Sequence, residues 1–127
     1  GITIDKSDVP SIIDELPILA LMATQAHGIT KVSGAEELRV KESDRIEAIC
    51  DNLKNMGADV EELDDGFIIK GPTKLNGALI KTYDDHRIAM TFEIASLIAE
   101  GKTQLDNNSC ISISFPEFYS TLESILQ

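Results

Sequence analysis

The feature that most restricts how this 127-residue chain can fold is an order of elements written out twice. Gly28-Ile29-Thr30 and Gly101-Lys102-Thr103 lie 73 positions apart, each just after an apolar stretch of helical spacing. The same step lays Ile18, Leu21 and Met22 on Thr91, Ile94 and Ala95. Few letters repeat, so the duplication rests on element order. In the first copy Ile2-Thr3-Ile4 predicts a strand, and Pro10 suits a helix start. Ile12, Ile13, Leu16, Leu19, Ala20 and Ala23 fit one helix over Ser11 to Ala26, with Gly28 as its terminator. Ile29 to Ser33 alternates as a strand. After a polar connection from Gly34 to Val40, Ser43 fits an N-cap for a helix carrying Ile46, Ala48, Ile49, Leu53 and Met56 and ending at Gly57. Asp59 to Leu63 and Gly66 to Lys70 flank an Asp64-Asp65-Gly66 hairpin turn. Residues 1–73 thus predict one β-α-β-α-β-β unit. Residues 74–127 predict most of a second: a strand over Ala78 to Thr82, a helix over Asp85 to Glu100, a strand over Lys102 to Asp106 and a last helix over Pro116 to Leu126. The fold class is α/β (α+β), built from repeated units within one domain's length.

Several functions are disfavoured at once. Eleven basic against 22 acidic residues give a net charge of −11, the wrong balance for general nucleic-acid binding. The longest apolar run, Leu16 to Met22, is broken by Pro17 and falls far short of the roughly 20 residues of a membrane span. No basic-then-apolar leader argues for secretion. Cys50 and Cys110 show no Cys-x-x-Cys or Cys/His spacing, so a metal site and a disulfide framework are both disfavoured, and two reduced thiols place the chain in the cytoplasm. A first residue of Gly1 rather than Met suggests a piece of a longer product.

Two short strings put cations where a helix does not want them. Arg39-Val40-Lys41-Glu42-Ser43-Asp44-Arg45 runs into a helix start, and Tyr83-Asp84-Asp85-His86-Arg87 does the same, with Asp85 as a plausible N-cap. The helix N-terminus is the positive end of the macrodipole and favours acids. Cations gathered there beside unpaired backbone N–H groups make an anion site. The bland alternative is that each string pairs internally as a solvated, salt-bridged helix start. In the duplication Arg87 falls on Asp14, so two corresponding helix openings carry a guanidinium and a carboxylate. Asp14 by itself is also compatible with a dipole-stabilising acid near a helix start.

These residues resemble the hallmarks of the EPSP synthase family. The strings 39–45 and Asp84-Asp85-His86-Arg87-Ile88-Ala89-Met90 are similar to two of them, Ile13-Asp14-Glu15-Leu16-Pro17 to a third and Ser114-Phe115-Pro116-Glu117-Phe118 to a fourth. The resemblance implies part of one lobe of the enolpyruvyl transferase fold, the C-terminal one, facing an N-terminal lobe across a cleft. It implies transfer of the enolpyruvyl group of phosphoenolpyruvate to the 5-hydroxyl of shikimate 3-phosphate, with release of phosphate and without cofactor or metal. By the same resemblance Asp14 is the base at the attacking hydroxyl and a shikimate 3-phosphate contact, and Glu42 the acid at the methylene carbon. Lys41 contacts shikimate 3-phosphate, Arg45 and Arg87 bind phosphoenolpyruvate, and His86 lies near the reaction.

The residue types suit that chemistry. Adding an alcohol across the double bond of an enol phosphate needs a base at oxygen and an acid at carbon, which two carboxylates in different environments supply. Guanidinium forks bind carboxylate and phosphate bidentately. One departure is Ile113, where many members of the family carry a lysine that contacts phosphate. Two other readings stand beside this one: the sibling enolpyruvyl transferase acting on a UDP-sugar, and a non-catalytic anion-binding repeat module. By itself the chain is expected to be inactive.

Overall fold

Pro17 decides how the first helical stretch is built. Its ring lacks an N–H and collides with the carbonyl four residues back, so an α-helix cannot run through it unbroken. In the computed structural model, which describes residues 1–106, the expected helix over 11–26 is accordingly three pieces. Helix α1 (Val9–Ile12) carries Pro10 in its first turn, a 3-10 turn follows over Ile13–Glu15, and α2 (Leu16–Gln25) begins with Pro17 in its first turn. Asp14 therefore sits in the 3-10 turn rather than one turn inside a helix. Gly28 does not cap α2, which ends at Gln25 with Ala26 as its C-cap; it opens the next strand with φ +101°, a conformation natural to glycine.

The strands are β1 (Thr3–Ile4), β2 (Gly28–Val32), β3 (Asp59–Leu63), β4 (Gly66–Gly71), β5 (Leu79–Ile80) and β6 (Gln104–Leu105). Helices α3 (Arg45–Asn55) and α4 (His86–Ile98) complete the described elements, and the polar connection contains a 3-10 turn over Glu36–Val40. One sheet has the order β1-β2-β4-β3, with β1 parallel to β2 and the other pairs antiparallel. A second pairs β5 with β6 in parallel. The two parallel pairs share a register. Thr3 faces Lys31 and Ile4 faces Val32, as Leu79 faces Gln104 and Ile80 faces Leu105. The second strands are 73 positions apart and the first strands 76, so three residues are lost between strand and helix in the later pair.

Helix α3 is amphipathic, and Ile46, Ile49 and Leu53 leave no surface exposed to speak of where they meet Phe67 and Ile69 of β4 and Leu38 of the 3-10 turn. Each such side chain contributes about 1.5–3 kcal/mol by leaving water. Cys50 lies in the same core, and burial pushes its thiol up to about 12, as expected of a thiol with no nucleophilic task. Helices α2 and α4 are apolar nearly all round, and their outer faces stay open. A groove of about 400 Å³ runs between Ile18, Met22, Ile94 and Ile98, with Met22 65% exposed. Among the described residues no helix is long and apolar enough to cross a membrane. The expected helix over Pro116 to Leu126, with Cys110, Ile113 and the string 114–118, lies outside the described residues.

Candidate active site

Helices α3 and α4 begin side by side, and each is capped by an aspartate. At α3 the cap is Asp44, not Ser43: its carboxylate accepts from the backbone N–H of Glu47 at 3.0 Å. That leaves Ser43 free to reach across, and its hydroxyl donates to Asp85 Oδ2 at 2.8 Å. At α4 the cap is Asp85, as its position suggests, with Oδ1 accepting from Arg87 N at 2.9 Å and Ile88 N at 3.4 Å.

The approach to α4 is held from outside. Tyr83 (φ 56°) and Asp84 (φ 54°) are both left-handed, a conformation that costs a non-glycine residue about 1–2 kcal/mol. Surrounding bonds fix the turn. Asn52 of α3 donates to Lys81 O at 2.8 Å and accepts from Lys81 N at 3.0 Å, pairing with the chain as a strand would. Asp106, just past β6, accepts from both the backbone N–H and the hydroxyl of Thr82. The result aims the Asp85 carboxylate inward, where none of it is exposed.

Arg45, the first residue of α3, is 1% exposed and stands at the centre. Its Nε donates to Asp85 Oδ2 at 2.8 Å and its Nη2 to Asp85 Oδ1 at 3.2 Å, so one edge of the guanidinium lies along one carboxylate. The other end meets Glu42 through Nη2 and Asp14 Oδ1 through Nη1 at 3.4 Å. The Glu42 and Asp14 side chains are 53% and 46% exposed. Burial works to raise the Asp85 pKa, but the hydrogen bonds from Arg45 and Ser43 and the guanidinium charge outweigh it, and the carboxyl is held below its ordinary value.

Asp14, 31 positions before Arg45, and Glu42, three before it, thus meet on one guanidinium. Lys41 is exposed just before Glu42, and His86 and Arg87 are half-buried in the first turn of α4. Among the described residues no hydrogen bond or ion pair joins the side chains of these three to the Arg45 cluster; Arg87 is tied to it by its backbone N–H on Asp85. The sequence presents Asp85 as a cap candidate within a charged string, and nothing in it marks the pairing with Arg45. The one local signal was an acid at a cap position beside cations, which says nothing about a partner 40 residues away.

Arg39 is spent elsewhere. It donates to Asp44 Oδ2 at 2.8 Å, to Glu62 at 2.9 Å, and to the carbonyls of Leu63 and Asp64 at 2.8 Å. It fastens the β3–β4 hairpin to the start of α3.

Residues 1–122 match the family model described as EPSP synthase (3-phosphoshikimate 1-carboxyvinyltransferase). The chain is 56% identical over 126 residues to the 3-phosphoshikimate 1-carboxyvinyltransferase of Persephonella marina, a match covering 99% of this chain and 29% of that protein. Its counterpart in Endomicrobium trichonymphae is 56% identical over 124 residues, covering 96% of this chain and 29% of the relative. A solved structure of EPSP synthase from Acinetobacter baumannii superposes with a TM-score of 0.89 at 42% identity, covering 94% of this chain and 28% of the other. The chain therefore spans about 29% of the length of the curated relatives it matches.

Proposed function

The chain belongs to the EPSP synthase family, and from that premise we propose that it is the C-terminal portion of an enzyme that moves the enolpyruvyl group of phosphoenolpyruvate to the 5-hydroxyl of shikimate 3-phosphate, releasing phosphate. The observation that carries the reading beyond the family name is one buried guanidinium, Arg45, in contact with both Asp14 and Glu42. Two half-exposed carboxylates on one cation are a reasonable pair for a reaction that takes a proton from oxygen and gives one to carbon. Asp14 serves as the base at the attacking hydroxyl and helps hold shikimate 3-phosphate, and Glu42 protonates the methylene carbon. Lys41 contacts shikimate 3-phosphate, Arg45 and Arg87 take the anionic groups of phosphoenolpyruvate, and His86 stands near the reacting atoms. Residues 1–73 form one repeat unit of the lobe and 74–127 most of another.

The Arg45 cluster carries three carboxylates against one guanidinium. An incoming anion must therefore take the place of Glu42 and Asp14 at Arg45, which their exposure permits. The 127-residue chain alone is inactive on this reading, because the facing lobe supplies the remaining contacts. The assembled enzyme works in the cytoplasm. The test uses the whole protein. Glu42→Gln should abolish deuterium incorporation from solvent into phosphoenolpyruvate, and Asp14→Asn should lower turnover by about 10²-fold or more. Retained turnover in Asp14→Asn, or unchanged deuterium exchange in Glu42→Gln, refutes the corresponding role.

A further inference from the structure

Asp85 is not among the residues given a role above, yet it is the group on which Arg45 depends. Its carboxylate accepts five hydrogen bonds, divided between two tasks. Oδ1 serves the backbone N–H groups of Arg87 and Ile88 and takes a longer bond from Arg45 Nη2. Oδ2 serves Arg45 Nε and Ser43 Oγ, both at 2.8 Å. A guanidinium has five N–H donors in a rigid plane, so fixing its Nε edge fixes the direction in which Nη1 and the remaining Nη2 hydrogen point. They point at Asp14 and Glu42, the only partners of Arg45 among the described residues that an incoming ligand could displace. Asp85 is fully buried and held on all sides, so no ligand could replace it.

We propose that Asp85 is a positioning residue: through its Oδ2 it locks the Arg45 guanidinium with its Nη edge facing the substrate, and Ser43 in turn fixes that oxygen. The inference rests on the reading of Arg45 as a phosphoenolpyruvate contact. Asp85 itself touches no substrate in this scheme. It acts by presenting a cation already oriented, so that binding the anion does not have to order a long side chain.

Asp85→Asn separates the two tasks. Asparagine is as good an N-cap as aspartate, so its oxygen keeps the α4 cap. Its NH2 then falls where Oδ2 was, donor against donor with Arg45 Nε, while the Ser43 hydroxyl must turn from donor to acceptor. In the whole protein, KM for phosphoenolpyruvate should rise about 10- to 100-fold, the scale of a lost charge-assisted hydrogen bond, while KM for shikimate 3-phosphate moves less than about twofold. Ser43→Ala, which leaves every charge in place and folds readily, should raise KM for phosphoenolpyruvate about threefold. In an Arg45→Lys background, which cannot use the bidentate edge, Asp85→Asn should add less than about twofold, because coupled residues do not act additively. Equal rises in both KM values, multiplicative effects in the double variant, or an unchanged KM in Ser43→Ala would each overturn the proposal while unaltered enzyme still turns over. If the unaltered whole protein turns over neither substrate, the reading of the site falls and the proposal with it.

Discussion

The chain uses the same device at two helix starts and gets two different results. At α3, Asp44 caps with one oxygen and binds Arg39 with the other; at α4, Asp85 caps with one oxygen and takes the shorter of its two Arg45 bonds on the other. Arg39 and Asp44 are 26% and 31% exposed, and the remaining donors of Arg39 go to Glu62 and two hairpin carbonyls. That guanidinium is finished: its partners are parts of the fold. The Arg45 and Asp85 side chains are 2% and 0% exposed, yet the outer partners of Arg45 are carboxylates half in water. One pair closes a structure and the other holds a cation ready. The lesson is that an arginine's availability depends on which of its edges is taken, more than on its exposure.

The widest gap between the pairs should appear on removing each cation. Arg45→Met leaves Asp85 buried and charged with no counter-ion, and should lower stability by about 3–5 kcal/mol in urea denaturation. Arg39→Met removes two partly exposed ion pairs and two bonds to carbonyls that water can reach, and should lower it by about 1–2 kcal/mol. Equal losses would erase the distinction. Next comes acid. The Asp85 carboxyl is held below its ordinary value in the folded chain, so its stabilising contribution is complete above the unfolded value of about 3.9 and fades as pH falls through the lower folded value. Unaltered protein should therefore lose stability on acidification below about pH 4, and Asp85→Asn should show a flatter acid limb. Asp44→Ala, which removes the α3 cap, should lower the stability by about 1 kcal/mol. The smallest effect is that of salt. Raising ionic strength to about 1 M should weaken the Arg39 pair by a few tenths of a kcal/mol and leave the Arg45 pair nearly unchanged, because a buried pair is poorly screened.

Much of this was legible in the sequence, for reasons that also show where legibility ends. Periodicity and turn residues marked α3, the β3–β4 hairpin and α4, since those depend on neighbours a few positions away. Pro17 breaks the apolar run, but the 3-10 turn over the residues before it, which carries Asp14, has no signature in apolar spacing. Ser43 was a sound N-cap candidate by type; Asp44, one residue later, took the position, and the hydroxyl went to a carboxylate 42 positions on. The family strings contain Asp14 in one stretch and Glu42 with Arg45 in another. What no local pattern could supply was Asp85 Oδ2 against Arg45 Nε, or the two bonds of Asn52 to Lys81, because both exist only once α3 and α4 lie together.

The left-handed residues Tyr83 and Asp84 have a consequence for how the molecule comes apart. A corner kept in place by distant anchors has no local preference to hold it once an anchor slips. Loosening of Asn52, Asp106 or Asp85 should let this corner spring open as a small cooperative event, long before the β2–β4 ladder yields. The amides of Asp85, Arg87 and Ile88 should then trade protons with solvent early, with the core still intact.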